Sequence, residues 1–179
     1  MSQVSAGDLR VGPVPERAWA RHRRIRLQAL ADSPEAFGST LAVERALPDS
    51  AWQARTAPSA RRRMWVAKRG RTWIGMVGAL REEDGSLQLV SMWVDPGARR
   101  QGVARALIDQ VVAWHRQIGT FELRLWVAAE NAGARTCYAA SGFRLSGASQ
   151  PFPRDPHRLE LEMRLAPGGR RDAADPVPI

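Results

Sequence analysis

The sequence predicts a mixed α+β fold, in which a central, mixed but mostly antiparallel sheet of six to seven strands is flanked by about four helices. Three observations predict it. Short apolar runs separated by turn residues dominate the middle of the chain, which is typical of consecutive antiparallel strands. An apolar pattern of helical period follows them, and strand and helix patterns then alternate. This order is typical of a sheet that carries helices on its faces.

The N-terminal part of the chain is predicted to contain one strand and two helical regions. Residues 8–14 form a short strand that prolines end. Residues 16–31 carry apolar positions among arginines, and the sequence DSP ends this helix. A second helical region over residues 40–55 is interrupted near Pro48.

The later elements follow from changes of period and from turn residues. Tight turns at Gly70 and over residues 83–86 separate three consecutive strands. A long helix with one apolar stripe ends at Gly119, a shorter helix is closed by Gly142, and a Pro-rich loop separates the last two strands. The predicted strands are residues 63–69, 72–83, 87–94, 122–127, 143–147 and 157–165, and the predicted helices are residues 102–118 and 131–141.

Length and composition are those of an ordinary globular chain. The 179 residues are 44% hydrophobic and 25% charged, and no apolar run approaches the roughly 18 residues that a membrane span needs. We expect one domain over residues 1–165 and a disordered tail over residues 166–179, which has almost no apolar content. The N-terminus lacks the apolar core of a signal peptide, and Cys137 is the only cysteine, so we expect a cytoplasmic protein that begins near Met1.

The net charge of +9 comes almost entirely from arginine. Lys68 is the only lysine, so 26 of the 27 basic residues are arginines, and they are dispersed along the chain. This pattern favours a compositional bias over a nucleic-acid surface, so we do not expect a nucleic acid as partner, although the positive potential can steer an anionic ligand. His22, His115 and His157 occur singly, without the spacing of a metal site. We therefore expect these histidines at the surface and no bound metal.

The segment from Ser91 to Val112 contains an apolar run, then Asp-Pro-Gly, two arginines and a glycine, and then a helical pattern. A strand end, a glycine-containing turn and a helix start together form an anion site, because backbone N–H groups point outward and the helix dipole favours negative charge. The dinucleotide fingerprint G-x-G-x-x-G is absent. A nucleoside-triphosphate loop is excluded as well, because Val103 and Ala104 stand where such a loop requires Lys and Ser or Thr.

The sequence RRQGVA, from Arg99 to Ala104, matches the Q/R-x-x-G-x-G/A signature of the GCN5-related N-acetyltransferase (GNAT) superfamily. About thirty residues later, an Asn that opens a helix and a Tyr seven residues on resemble the second cofactor segment of this superfamily; they are Asn131 and Tyr138. Seven residues are two helical turns, so both side chains share a face. The order of elements over residues 8–165 and the early sequence RLQALADSPEAFGST also resemble the superfamily.

The resemblance implies a GNAT fold and direct transfer of an acetyl group from acetyl-CoA to a primary amine, without a metal. It implies that loop amides hold the pyrophosphate, and that a bulge splays the preceding strand, which then binds the pantetheine arm and the thioester carbonyl. Tyr138 is the implied acid for the departing thiolate. The implied cofactor-binding residues are Met92, Trp93, Val94, Arg99, Arg100, Gln101, Gly102, Val103, Ala104, Arg105, Asn131 and Tyr138.

Several of these residues also fit ordinary structural roles. The arginines from Arg99 onward fit a solvated helix start, Asn131 fits an N-cap, and Tyr138 fits a half-buried aromatic residue. Cys137 fits a small buried side chain better than a catalytic one.

The general base stays open. Ribosomal-protein N-terminal acetyltransferases carry a Glu five residues before the Asn, where this chain has Trp126, so acetylation of a protein N-terminus is less expected. Glu82, Glu83 and Glu130 lie near predicted strand ends, and nothing in the sequence selects among them. Trp126 and Trp93 suggest an apolar acceptor pocket, but core packing explains tryptophans equally well.

Three functions therefore stay open. The leading expectation is acetylation of a small-molecule amine, including an amine-bearing antibiotic. The second is acetylation of a protein N-terminus or lysine, and the third is a non-catalytic acyl-CoA sensor or interaction module. The acceptor, the acyl chain length and the oligomeric state, with a homodimer as one option, also stay open.

Overall fold

The computed structural model describes residues 8–166, in which seven strands form one sheet in the order β1-β2-β3-β4-β5-β7-β6. Within this range β4 and β5 are the one parallel pair, and every other neighbouring pair is antiparallel. The predicted mixed sheet is confirmed; apart from Ala166, the predicted tail lies outside the described residues. The strands are β1 (Leu9–Pro13), β2 (Arg62–Arg69), β3 (Thr72–Arg81), β4 (Leu87–Val94), β5 (Leu123–Ala128), β6 (Phe143–Phe152) and β7 (Asp155–Leu165).

Five α-helices flank the sheet within the described residues. The predicted second helical region consists of two helices, because Pro48 precedes the second as its N-cap and cannot continue the first. None of the described helices is both long and apolar enough to cross a membrane. The helices are α1 (Trp19–Asp32), α2 (Leu41–Arg45), α3 (Asp49–Thr56), α4 (Val103–Ile118) and α5 (Ala132–Ala140), and single 3-10 turns occupy Glu16–Ala18, Pro34–Ala36 and Pro96–Ala98.

The predicted Pro-rich loop between the last two strands is wrong. β6 continues to Phe152, and a tight turn at Pro153 and Arg154 leads directly into β7. Pro151 is tolerated because β6 is an edge strand, where a missing N–H interrupts no further strand pairing.

The sheet lies between two helical layers, and each layer buries its own apolar cluster. α4 buries one stripe at helical spacing, which includes Val103, Leu107 and Val111, against one face of the sheet. α1 packs Ile25 and Leu30 against the other face. Both layers therefore contact the middle strands, where the functional motifs begin and end.

A buried charged cluster holds the N-terminal helices together. Arg26 of α1 donates hydrogen bonds to both carboxylate oxygens of Glu44 in α2 at 2.7–3.1 Å, and Arg55 of α3 donates to the same carboxylate at 2.7 Å. Burial raises the pKa of Glu44, but the hydrogen bonds and charges of Arg26 and Arg55 outweigh burial and bring it to about 2. Breaking such a buried pair typically costs about 3–5 kcal/mol, so this cluster fixes α2 and α3 against α1.

His22 is buried, and its predicted surface position is wrong. It is 1% exposed and lies edge-on to the Trp52 ring, with 6.0 Å between the ring centroids. His22 shares the buried stripe of α1 with Ile25, and a polar residue in this stripe concealed the pattern. Burial, and then the charges of Arg55 and Arg26, lower the pKa of His22 to about 4.

We expect the free energy of unfolding to decrease as the pH falls from about 6.5 toward 4. The unfolded chain takes up a proton at His22 near its ordinary pKa, whereas the folded chain keeps the imidazole neutral. The difference between 6.5 and about 4 is about 2.5 pKa units, which corresponds to about 3 kcal/mol. Chemical denaturation at several pH values measures this loss, and His22→Leu should remove it; a variant with the wild-type pH slope would assign the loss to other groups.

Candidate functional site

A cavity of about 600 Å³ opens where β4 and β5 diverge. The two strands pair only through Leu87 with Leu123 and Gln88 with Arg124, and beyond these pairs β4 has no partner strand on that side. The helix α5 and the segment that follows α1 contribute residues to the cavity wall. Of the residues predicted to bind the cofactor, those that line the cavity are Met92, Trp93, Val94, Arg99, Ala104, Asn131 and Tyr138.

A β-bulge in β4 accompanies this divergence. Val90 pairs with Gly78, but the next pair joins Trp93 to Met76, so two residues of β4 oppose one residue of β3. Ser91 within the bulge has φ 56°. Among the described residues, Ser91 and Arg100 are the two non-glycine residues with positive φ. Both lie beside this cavity or its adjoining loop, and such conformations cost about 1–3 kcal/mol each and concentrate at functional sites.

The loop between β4 and α4 presents free backbone donors. Gly102 is the N-cap of α4 with φ 79°, which favours glycine, and a Cβ built there would meet nothing within 4 Å. Within residues 8–166 no acceptor receives a hydrogen bond from the N–H groups of Gly102, Val103 or Ala104. These donors begin a helix of 16 residues, whose dipole adds positive potential at the same point. The arrangement suits an anion such as a diphosphate.

The side chains around this loop differ in their contacts. Arg99 donates from Nε to the Val94 carbonyl at 3.0 Å and forms a short ion pair with Asp32. Arg100 is exposed, and Arg105 reaches the Ala140 carbonyl at 3.4 Å. Gln101 and Val103 do not line the cavity. Gln101 donates a hydrogen bond to the Gly97 carbonyl within the loop, and the side chain of Val103 packs in the core.

The helix α5 forms the opposite wall of the cavity. Asn131 caps it by accepting a hydrogen bond from the Ala134 N–H at 3.0 Å, so its structural role is present. Tyr138 packs edge-on against Phe143, and its hydroxyl donates no hydrogen bond to another residue in the described part of the chain. Burial, and then the neighbouring Cys137 thiol, raise the pKa of Tyr138 above its ordinary value. The hydroxyl at this cavity therefore keeps its proton.

Ser33, Glu35 and Phe37, in the segment that follows α1, also line the cavity. Arg154 of the β6–β7 turn and Arg158 of β7 hold this segment. Arg154 donates to the Phe37 carbonyl at 2.9 Å and to Pro34, and Arg158 donates to the Glu35 carbonyl at 3.2 Å. We call residues 33–37, Arg154 and Arg158 the roof of the cavity.

Acidic side chains are unevenly placed around the site. Glu82 and Glu83 lie at the β3–β4 turn, at the opposite end of the sheet, whereas Glu130 lines the cavity and pairs with Arg158. The hydrogen bond from its own backbone N–H, and then Arg158, lower the pKa of Glu130. Glu160 of β7 is buried opposite Ala128, a cavity residue, and accepts a hydrogen bond from Gln150.

Sequence reasoning missed Glu160, together with Asp32, Ser33 and the two roof arginines. Their only local signals were the alternation of the last strand and the helix end at DSP, and neither indicates which cavity they reach. Trp126 is absent from the cavity wall, whereas Trp93 belongs to it.

A larger cavity, about 690 Å³, lies at the other end of the sheet and carries none of the motif residues. Arg62, Arg63 and Arg81 line it together with Trp114. The last residues of α3 and α4 also border it, and cations complement the negative ends of helices. The arginines there therefore have a structural explanation.

Comparisons with known proteins agree with this geometry. A sequence profile described as the acetyltransferase (GNAT) family matches residues 26–143. Human N-acetyltransferase 8 is 37% identical over 90 residues, which are 48% of this chain and 40% of that protein. Mycothiol acetyltransferase of Beutenbergia cavernae is 32% identical over 93 residues, which are 42% of this chain and 31% of that protein. The chain thus spans less than half the length of these curated relatives.

Solved structures share the fold. The structure of yncA from Salmonella typhimurium with its cofactor acetyl-CoA has a TM-score of 0.71 at 16% identity, over 93% of this chain and 99% of that one. At this identity the likeness concerns the fold alone. It includes a sheet with helices on both faces, as the sequence predicts.

We expect Gly102→Glu to weaken coenzyme A binding by more than about a hundredfold, because it brings a like charge to a site whose charge-assisted contacts are worth roughly 1.5–3 kcal/mol each. Gly102→Ala is the matched control, since it carries the same left-handed strain of about 1–2 kcal/mol without charge or length. Calorimetric titration with coenzyme A measures the affinities, and thermal unfolding checks the fold. Equal affinity in both variants and the wild type would place the phosphates elsewhere.

Proposed function

The chain belongs to the acetyltransferase (GNAT) family, and from this premise we propose that it transfers the acetyl group of acetyl-CoA to a primary amine of a small molecule. The observation that carries the small-molecule acceptor is the roof, which encloses the acceptor side of the cavity. The donor side is supported by the free amides of the loop and the unpaired edge of β4.

Acetyl-CoA fits the donor side of the cavity by charge and shape. Its diphosphate would accept hydrogen bonds from the N–H groups of Gly102, Val103 and Ala104, with Arg100 and Arg105 nearby as positive charges. Its pantetheine arm would pair with the backbone of Met92 to Val94, which β5 leaves free. Asn131 serves by capping α5, the helix that carries Tyr138.

The reaction requires one bond to form and one to break. The neutral amine nitrogen attacks the thioester carbon, the C–N bond forms, the C–S bond breaks, and the amine proton leaves to water or a carboxylate. A backbone N–H of the bulged strand stabilises the oxyanion that develops on the carbonyl oxygen. The Tyr138 hydroxyl gives its proton to the departing thiolate, and the products are an amide and coenzyme A.

Two carboxylates compete as acceptor of the amine proton. Glu130 faces the cavity, but its lowered pKa and its ion pair with Arg158 make it a weak base. Glu160 is less constrained, because Gln150 is its one hydrogen-bond partner among the described residues. Proton transfer through water to Glu160 therefore accords best with these contacts.

The roof favours a small acceptor over a polypeptide. Three hydrogen bonds from Arg154 of the β6–β7 turn and Arg158 of β7 hold the segment after α1, so an extended chain cannot pass between that segment and these arginines without breaking the bonds. Phe152 lies under both guanidinium groups, 5.7 Å and 4.6 Å from them, and further stiffens the turn. Mycothiol acetyltransferase, one of the relatives, is named for a small molecule.

The test compares acceptors at a fixed concentration of acetyl-CoA. The protein is incubated with a library of small primary amines and with a library of peptides that have free N-termini or lysines, and released thiol and acetylated product are measured. We expect turnover with small amines. Turnover with peptides alone would contradict the small acceptor, and tight binding of acetyl-CoA with no turnover in either library would indicate an acyl-CoA sensor instead.

We expect Tyr138→Phe to lower kcat about tenfold to a hundredfold with little change in coenzyme A affinity, since general acids contribute roughly 10²–10⁴-fold and a thiolate already leaves fairly well. Because the pKa of Tyr138 is raised, the wild-type rate should not fall through ionisation of this tyrosine even above about pH 10, its ordinary pKa. Steady-state rates of both proteins over a pH series measure this. A variant with the wild-type kcat would reduce Tyr138 to a packing residue.

A further inference from the structure

Asp32 occupies a position that its own helix disfavours. It is the last residue of α1, and a carboxylate at the negative end of a helix is unfavourable. No basic residue stands in the last turn of α1 to offset this. Its contacts outside the helix must therefore explain the position.

One oxygen of Asp32 collects three hydrogen bonds. Oδ2 accepts from the Ser33 hydroxyl at 2.7 Å, from the Trp93 indole Nε1 at 2.9 Å and from the Arg99 guanidinium in a short ion pair. Desolvation raises the pKa of Asp32, but the hydrogen bonds from Ser33, Trp93 and Arg99 lower it by more. The pKa of Asp32 therefore lies below its ordinary value. The carboxylate is thus ionised near neutral pH.

These contacts determine where β4 ends. Trp93 is 6% exposed and packs beneath α1 in the second core cluster, so its indole is fixed both by packing and by Asp32. Arg99 links Asp32 to the carbonyl of Val94, the last residue of β4, at 3.0 Å. Trp93 and Val94 follow the bulge directly, and both line the cavity.

Asp32 also belongs to the acceptor side. Ser33, the next residue, lines the cavity and begins the roof. The Asp32 carboxylate therefore contacts Trp93 in β4, the strand assigned to the donor. Asp32 also directly precedes the roof, the segment assigned to the acceptor. No other described residue bonds both Trp93 and Arg99.

We propose that Asp32 is a positioning residue for acetyl transfer, which sets the end of β4 relative to the roof through Trp93 and Arg99. The inference rests on the proposed function, because it assigns the thioester carbonyl to the β4 backbone. It predicts an effect on the chemical step and little effect on the phosphate site, since in this loop Asp32 contacts the Arg99 side chain and none of the backbone N–H groups of Gly102, Val103 and Ala104.

Two replacements separate charge from hydrogen bonding. Asp32→Asn keeps an oxygen for the Trp93 indole but removes the charge that holds Arg99, whereas Asp32→Ala removes both. The Asp32 side chain is 26% exposed, and an exposed pair contributes little stability, so both variants should fold. Asp49→Asn is the matched control, because it removes another Asp–Arg pair that ties α1 to a second element, away from the cavity.

The first experiment needs no acceptor. Backbone and indole ¹⁵N–¹H spectra of the full chain are recorded with coenzyme A and with acetyl-CoA, and the Trp93 indole is assigned by its loss in Trp93→Phe. We expect the amides of Trp93 and Val94 to differ between the two ligands in the wild type and in Asp49→Asn. In Asp32→Ala this difference should disappear and the Trp93 indole should move, while calorimetry gives an unchanged coenzyme A affinity.

The second experiment is kinetic and uses the best amine from the acceptor screen. Misplacement of a reacting group by about 1 Å can cost roughly a hundredfold in rate, so we expect about that loss of kcat in Asp32→Ala and a smaller loss in Asp32→Asn. The KM for acetyl-CoA should stay within about twofold, since phosphate contacts dominate its binding. Asp49→Asn should match the wild type.

The outcomes distinguish this inference from the proposed function. An unmoved Trp93 indole in Asp32→Ala, or a wild-type kcat in that variant, would overturn the positioning role. A raised KM for acetyl-CoA with kcat unchanged would overturn it as well and make Asp32 part of donor binding. A wild-type protein whose amides do not respond to coenzyme A would instead refute the proposed function.

Discussion

The bulge at Ser91 is the constraint on which the site depends. It adds one residue to β4, and β3 accommodates the extra residue because Val77 lies opposite two residues of β4, Ser91 and Met92. A parallel partner requires evenly spaced bonds along both strands, and β5 pairs with β4 only up to Gln88. The strands separate, and beyond Gln88 the backbone groups on this edge of β4 have no partner strand, although Arg99 donates to the Val94 carbonyl. An unpaired backbone group typically costs about 1–3 kcal/mol when it is desolvated. A ligand that forms hydrogen bonds with this edge avoids that cost, and its binding is therefore favoured.

The N-terminal layer supports this strand from behind. The carboxylate of Glu44 holds α1 and α3 through Arg26 and Arg55, and these buried contacts make α1 a fixed element. The end of α1 then holds the end of β4 through Asp32. The helix α1 thus connects the buried Glu44 ion pairs to the separate Asp32–Arg99 ion pair beside the cavity. In this arginine-rich chain, carboxylates thus give Arg26, Arg55 and Arg99 their structural roles.

Periodic features were predictable from the sequence, and distant pairings were not. The helix α4 begins one residue after its predicted start and ends at the predicted residue, because a buried stripe at helical spacing and a terminal glycine are local signals. The bonds from Trp93 and Arg99 to Asp32 cross 61 and 67 residues, and that from Arg154 to Phe37 crosses 117. With 26 arginines in the chain, no local pattern selects the ones that pair. The proposed donor side therefore follows from the motif, while the proposed acceptor side follows from the fold.

In the roof, main-chain groups hold the shape of the proposed acceptor side, whereas side chains provide its chemistry. Arg154 and Arg158 donate to main-chain carbonyls of residues 34–37, and such hydrogen bonds do not depend on the side chains that those residues carry. Glu35 and Ala36 both line the cavity and are exposed. Their side chains can therefore change without loosening the roof, whereas loss of either arginine would alter its position. The proposed acceptor side thus has a frame held by main-chain hydrogen bonds, and a few surface side chains within that frame would determine the chemistry that it presents to an amine.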